Sequence, residues 1–271
     1  MAAFSLTLPA TRVAVAEMNP VFIGLGRALV AAVLAAIVLA LTRTPVPPRK
    51  VWPGLAIVAA GVIVGFPVLS AWALRYVPAA HGAVVIGLLP LATALTAAWL
   101  AHERPSRRFW MSAVFGSVVV VAFALWHGGG APQPADLLLL LATIAAAIGY
   151  AEGGRLARTL GGWQVISWAL VMSAPLLVIP VWWSVDGRWP SASIPAWSGF
   201  AYVAIVSMYL GFFAWYRGLA LGGIASVGQV QLLQPFLTIF ASAVLLGERI
   251  DAATLIAAAL VIAAIAVGRR S

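Results

Sequence analysis

Cysteine is absent from the 271 residues, and carboxylates are scarce: seven Asp and Glu stand against sixteen Lys and Arg. The first absence excludes disulfides and thiolate metal sites. Charged residues make up only 8% of the chain, where a soluble domain carries roughly a quarter, so no water-facing coat can be built. No Gly-x-Ser-x-Gly elbow and no phosphate loop occurs, and His81, His102 and His127 fall at three separate segment ends. An enzyme, a metal centre and a bound cofactor are therefore not expected. The net charge of +9 is spread over short gaps, without basic-aromatic stripes, which argues against a nucleic-acid partner. Polar residues are also too few to line a channel continuously.

What the chain has is apolar length: 63% of it is hydrophobic. With about 20 residues needed to cross roughly 30 Å of hydrocarbon, ten segments emerge, at 1–16, 21–41, 51–73, 79–101, 108–126, 136–156, 163–183, 197–216, 224–246 and 251–268. The breaks include "TRTPVPPRK" (42–50), "HERPSRR" (102–108), "HGGGAPQPA" (127–135) and "DGRWPSASIPA" (186–196). The first segment is short and holds Pro9 and Arg12, which predicts either a helix lacking its beginning or an irregular one. With the N-terminus inside, the inner loops hold eleven Lys and Arg, among them Arg43, Lys50, Arg108, Arg158 and Arg270. The outer loops hold three: Arg75, Arg188 and Arg249. This bias predicts both termini in the cytoplasm, and tryptophans at the segment ends suit the interfacial belt.

The chain also repeats itself. Placing 73–105 on 218–250, an ungapped shift of 145, aligns Pro90 with Pro235, Thr93 with Thr238, Glu103 with Glu248 and Arg104 with Arg249. Leucine, valine and alanine matches bring the total to ten. The shift crosses five segments, an odd number, so the two copies must run in opposite directions. The expected fold is an all-α membrane protein of ten transmembrane helices in two inverted five-helix repeats, 1–130 and 131–271. Such repeats place a binding site near the bilayer midplane, and a fused pair needs no partner chain, so a monomer is the default.

These motifs carry a resemblance. Two halves of five helices, each with Pro, Thr, Leu and Glu-Arg closing its fourth helix, resemble the EamA family of the drug/metabolite transporter superfamily. "NPVFIGLGRALVAAVLA" (19–35) is similar to that family's second helix, with its leading proline and early arginine. The layout most resembles the YddG-type bacterial exporters. The resemblance implies an inner-membrane secondary transporter that exports amino acids and related metabolites by alternating access. It implies a cavity formed mainly by helices 1 to 4 and 6 to 9. Proton-coupled multidrug export and nucleotide-sugar exchange are the alternatives.

Gln231 and Gln234 lie three residues apart in an apolar run and share a helix face, while Gln229 points about 160° from Gln231. Amides in hydrocarbon need partners; these two either join helices or meet the solute. His81, Tyr76, Trp72 and Trp163 are the other candidate contacts, each open to a plain reading as packing or interfacial anchoring. Pro90 and Pro235 are expected to kink helices 4 and 9. Arg27 sits inside an apolar run, where an unpaired guanidinium is expensive. Glu17, with Arg12 nearby, is its most economical partner, as an ion pair or an outer gate. No carboxylate falls at a midplane, which predicts facilitated export rather than carboxylate-driven antiport, with His81 the less obvious coupling group.

Overall fold

The computed structural model describes residues 1–127, 134–185 and 190–246, with Ala252, Ile256, Ala259, Leu260, Ile262 and Ala263 beyond them. Most of the tenth segment, Glu248, Arg249, and parts of the 127–135 and 186–196 breaks therefore lie outside the described residues. Every regular element among the described residues is helical.

The elements are α1 (Ala2–Val15), α2 (Phe22–Leu41), α3 (Arg49–Ala73), α6 (Pro134–Leu160), α7 (Gly162–Ser184) and α8 (Ile194–Gly222), with α5 (Arg107–His127) between α6 and a broken α4. α4 is split into α4a (Ala79–Ile86) and α4b (Leu89–Leu100). α9 begins as α9a (Ile224–Gly228), tightens to a 3₁₀ stretch (Gln229–Leu233) and resumes as α9b (Gln234–Leu246). α1 is irregular as well, divided at Leu6 into Ala2–Ser5 and Thr7–Val15.

Five helices, α2, α3, α6, α7 and α8, are long and apolar enough to cross a membrane. α4 and α9 do not qualify as single helices because each is interrupted before its proline. Pro90 and Pro235 have no N–H, and their rings crowd the carbonyl four residues back. The chain responds with a two-residue break at Gly87–Leu88 and with the 3₁₀ turn at 229–233. Both breaks occupy equivalent positions, 145 residues apart. A second pair of irregularities shares that spacing: π-helical turns at Ala59–Gly65 in α3 and Val203–Leu210 in α8. A third π turn, Phe22–Gly26, opens α2.

Small residues bring the helices together. Ala28, Ala31 and Ala35 on α2 are completely buried, and α2 packs on α7. A side chain at Gly61 of α3 would strike the Ala145 carbonyl of α6, and one at Gly153 of α6 would strike the Tyr216 ring of α8. Without a hydrophobic drive between helices in lipid, such close approach supplies the packing. The outward faces are apolar, with Val33, Leu41, Leu176, Trp182, Trp183 and Leu221 exposed, as a lipid-facing surface requires. Some buried hydroxyls return to their own helix: Thr143 donates to Leu139 O (2.8 Å), and Ser70 donates to Phe66 O (2.6 Å).

One tie joins α4b to α9a and α6. The Glu103 carboxylate accepts from Ile224 N and Ala225 N, each at 2.9 Å, and from Arg158 Nη2 at 2.6 Å. Gly223, at φ +83°, turns the chain so that these first N–H groups of α9 face the carboxylate. The anion sits where the helix N-terminus is electropositive and its amides have no intrahelical acceptor.

Gly61→Ala is expected to destabilise the detergent-solubilised protein by about 1–3 kcal/mol through overpacking against backbone. Gly218→Ala, whose new methyl has its nearest neighbour at 3.6 Å, should be neutral or mildly stabilising, because alanine favours helix. Thermal unfolding of the two variants side by side checks the contrast.

Candidate functional site

Val62, Ala146 and Ser207 lie near the middle of α3, α6 and α8, and all three face one cavity. Its other walls are Phe4, Thr7 and Leu8 of α1, Arg27 of α2, Phe66 of α3, and Leu89 of α4b. Tyr150 of α6, Met208 and Phe212 of α8, and Gln234 of α9b complete it. Seven helices contribute, and α5 and α7 supply none of these residues. Leu89 and Gln234 are 145 residues apart, as are Val62 and Ser207, so equivalent positions of the repeated sequence meet across the space.

The floor is aromatic. Phe4 meets Phe212 edge-on at 5.2 Å, and Tyr150 lies 6.0 Å from Phe212 and 5.5 Å from Trp215. The polar side consists of Thr7 and Ser207, hydrogen-bonded at 2.8 Å, with Gln234 and the Arg27 guanidinium. Only about 20 Å³ is open to a water-sized sphere. That is room for about one water, since a single water needs roughly 10–15 Å³. A solute larger than a water must displace side chains to occupy the cavity.

Arg27 is 3% exposed. Its Nε has no hydrogen-bond partner, and Tyr150 lies close enough to feel its charge. The expected pairing with Glu17 does not form. Both Glu17 oxygens are taken by α8's leading residue: Ser193 N donates at 2.7 Å and Ser193 Oγ at 2.6 Å. Glu17 lies in the α1–α2 turn, whereas the π turn carries Arg27 into the bundle. Arg12 is engaged elsewhere, donating from Nη1 to Leu74 O (2.6 Å) and Arg75 O (3.3 Å) at the end of α3. Arg12, Glu17 and Arg27 are thus three separate contacts and form no cluster.

The glutamines divide too. Gln234 lines the cavity with Arg27. Gln231 is 2% exposed with neither amide atom partnered, and it is not part of the cavity wall. Gln229 joins helices, donating from Nε2 to Ser112 Oγ of α5 at 3.1 Å.

The remaining candidates stand away from the cavity. His81 Nε2 and Asp136 Oδ1, 2.6 Å apart, tie α4a to α6. Trp72 and Tyr76 are 37% and 67% exposed at the end of α3 and just beyond it. Trp163 packs beside Phe213 at the start of α7. Pro90 and Pro235 are buried at the α4 and α9 interruptions. Ser207, Thr7 and Phe212 were not singled out by sequence reasoning. Shifting Val62 by 145 residues would have pointed to Ser207. No group of three or more His, Cys, Asp or Glu able to hold a metal occurs among the described residues.

Residues 1–126 and 133–268 each match the EamA-like transporter family. The chain is 45% identical over 267 residues to the uncharacterized transporter YdeK of Bacillus subtilis, covering 98% of this chain and 93% of that protein. A crystal structure of a protein 21% identical in sequence superposes with a TM-score of 0.78 over 99% of this chain and 94% of that one. At that identity the likeness establishes the fold alone.

The Ser193 hydrogen bonds lower the Glu17 pKa from its ordinary 4.5. A carboxylate lowered on folding contributes stability that is full above its unfolded value and lost as pH falls through its folded one. Melting temperature in detergent should therefore drop on acidification below the ordinary carboxylate range, and Glu17→Gln should flatten that dependence. An unchanged acid profile in Glu17→Gln would count against the assignment.

Proposed function

Because the chain belongs to the EamA-like transporter family, we propose that it is a secondary transporter that exports amino acids and related small metabolites across the bacterial inner membrane. The observation that carries this reading is the mid-bundle cavity, where positions 145 residues apart, Leu89 with Gln234 and Val62 with Ser207, face one space. Ten spans in two inverted five-helix halves, 1–130 and 131–271, with both termini cytoplasmic, account for that pairing. The same arrangement accounts for the matched irregularities of α3 with α8 and of α4 with α9. In alternating access the two halves rock about the site. Transport needs bonds weak enough to release the solute on the far side.

Interrupted helices suit that motion. The breaks at Pro90 and Pro235 leave α4 and α9 fewer backbone bonds to break when they bend. Gln234, the one cavity-lining glutamine, offers both a donor and an acceptor to a zwitterion. The described cavity residues include a cation and no carboxylate, which disfavours cationic drugs as cargo. They also leave no acidic group there to carry a proton, so facilitated export by a monomer is the primary mechanism. The His81–Asp136 pair supports a second reading, in which a proton binds at that end of α4a and drives exchange.

Reconstituted protein should show saturable efflux of labelled amino acids from proteoliposomes that is insensitive to an imposed proton gradient. Gln234→Leu should weaken it by up to about tenfold, the worth of one lost hydrogen bond. Strict dependence on the gradient would replace the primary mechanism with the His81 one. Absence of amino-acid flux through folded protein would refute amino-acid export.

A further inference from the structure

Four carboxylates are described in this protein, and all four are committed. Glu17 is held by Ser193, and Glu103 by Ile224, Ala225 and Arg158. Glu152 is held by Arg155 through two bonds of 2.8 and 2.6 Å. Asp136 faces His81. Arg27 therefore has no acidic partner among the described residues, although it is almost fully buried and lines the central cavity. A guanidinium kept out of water is costly unless something of opposite charge comes to it. It is also the side chain best shaped to grip a carboxylate, through parallel N–H donors in one plane.

We propose that Arg27 is the receptor for a carboxylate on the transported solute, and that the solute class is small monocarboxylates bearing an apolar or aromatic body. This rests on the reading that the cavity is the cargo site. The cavity's other features fit one such molecule. Phe4, Tyr150 and Phe212 offer aromatic edges and faces to the apolar body. Thr7, Ser207 and Gln234 line the same cavity as Arg27 and supply neutral donors and acceptors for an amino, oxo or hydroxy group next to the carboxylate. A bound carboxylate offsets the Arg27 charge: 3-phenylpropionate leaves the described site neutral and a zwitterionic amino acid leaves only its own ammonium, whereas an amine of the same shape adds a second cation with no anion to meet it. The guanidinium is already buried before the solute arrives, so binding does not have to desolvate it again, and the gain from pairing is correspondingly large.

The test is binding to purified wild-type protein in detergent, read as thermal stabilisation and as competition for proteoliposome efflux. The probes are phenylalanine, leucine and 3-phenylpropionate, set against phenylalaninamide and leucinamide. The acids should stabilise the protein and compete; the carboxamides should do neither at equal concentration. Arg27→Gln should weaken the acids by about 10- to 100-fold, the loss expected for a charge-assisted hydrogen-bonded pair. Arg27→Lys should recover part of that loss. Carboxamides that bind as well as the acids would overturn the proposal, as would acids that bind folded Arg27→Gln unchanged or a wild type that binds none of the acids. Should Arg27→Gln not fold, the comparison of acid with carboxamide on the wild type still decides. Flux of solutes without any preference for a carboxylate would remove the role of Arg27 and leave the transporter reading standing. Absence of flux for every solute would remove that reading itself.

Discussion

Hydrocarbon offers no hydrogen bonds, so a backbone N–H or carbonyl without an internal partner costs several kcal/mol in the bilayer. The architecture follows from that constraint. Helices satisfy their own backbones, and wherever the helical ladder fails, other protein groups must surround the failure. The interruptions at Gly87–Leu88 and Gln229–Leu233 and the π turn of α2 are packed within the bundle, and the π turns of α3 and α8 keep most of their residues buried. None of these irregular turns can be placed freely against lipid.

That same requirement gathers function at the centre. Residues within or beside the irregular turns, Leu89, Gln234, Val62, Ser207 and Arg27 among them, face the cavity. An irregular turn presents groups at angles that a straight helix cannot. Aromatic rings and hydroxyls both line the space, which leaves room for about one water.

The sequence was informative where chemistry breaks the monotony of apolar residues. Pro90 and Pro235, Glu103 and Glu248, and the 145-residue spacing stood out because prolines and charges are rare in such a chain, and the helix breaks lie at those prolines. The π turns had no signal, since a one-residue expansion of a helix leaves the composition unchanged. Their spacing puts Gln231 and Gln234 on one helix face, yet of the two it is Gln234 that lines the cavity, a difference that periodicity along α9 does not carry. Glu17 was assigned to Arg27 on nearness along the chain. Its partner Ser193 lies 176 residues away, and only tertiary structure could bring it there.

Biogenesis inherits one of these contacts. The first amides of α9 are capped by a carboxylate that precedes Ile224 by 121 residues. Glu103 therefore leaves the ribosome long before the amides it will hold, and its bonds to them must wait for α9 to enter the membrane. Until they meet, the start of α9 carries donors that its own sequence does not satisfy. Docking of the start of α9 therefore depends on the earlier portion of the chain that supplies Glu103 being in place.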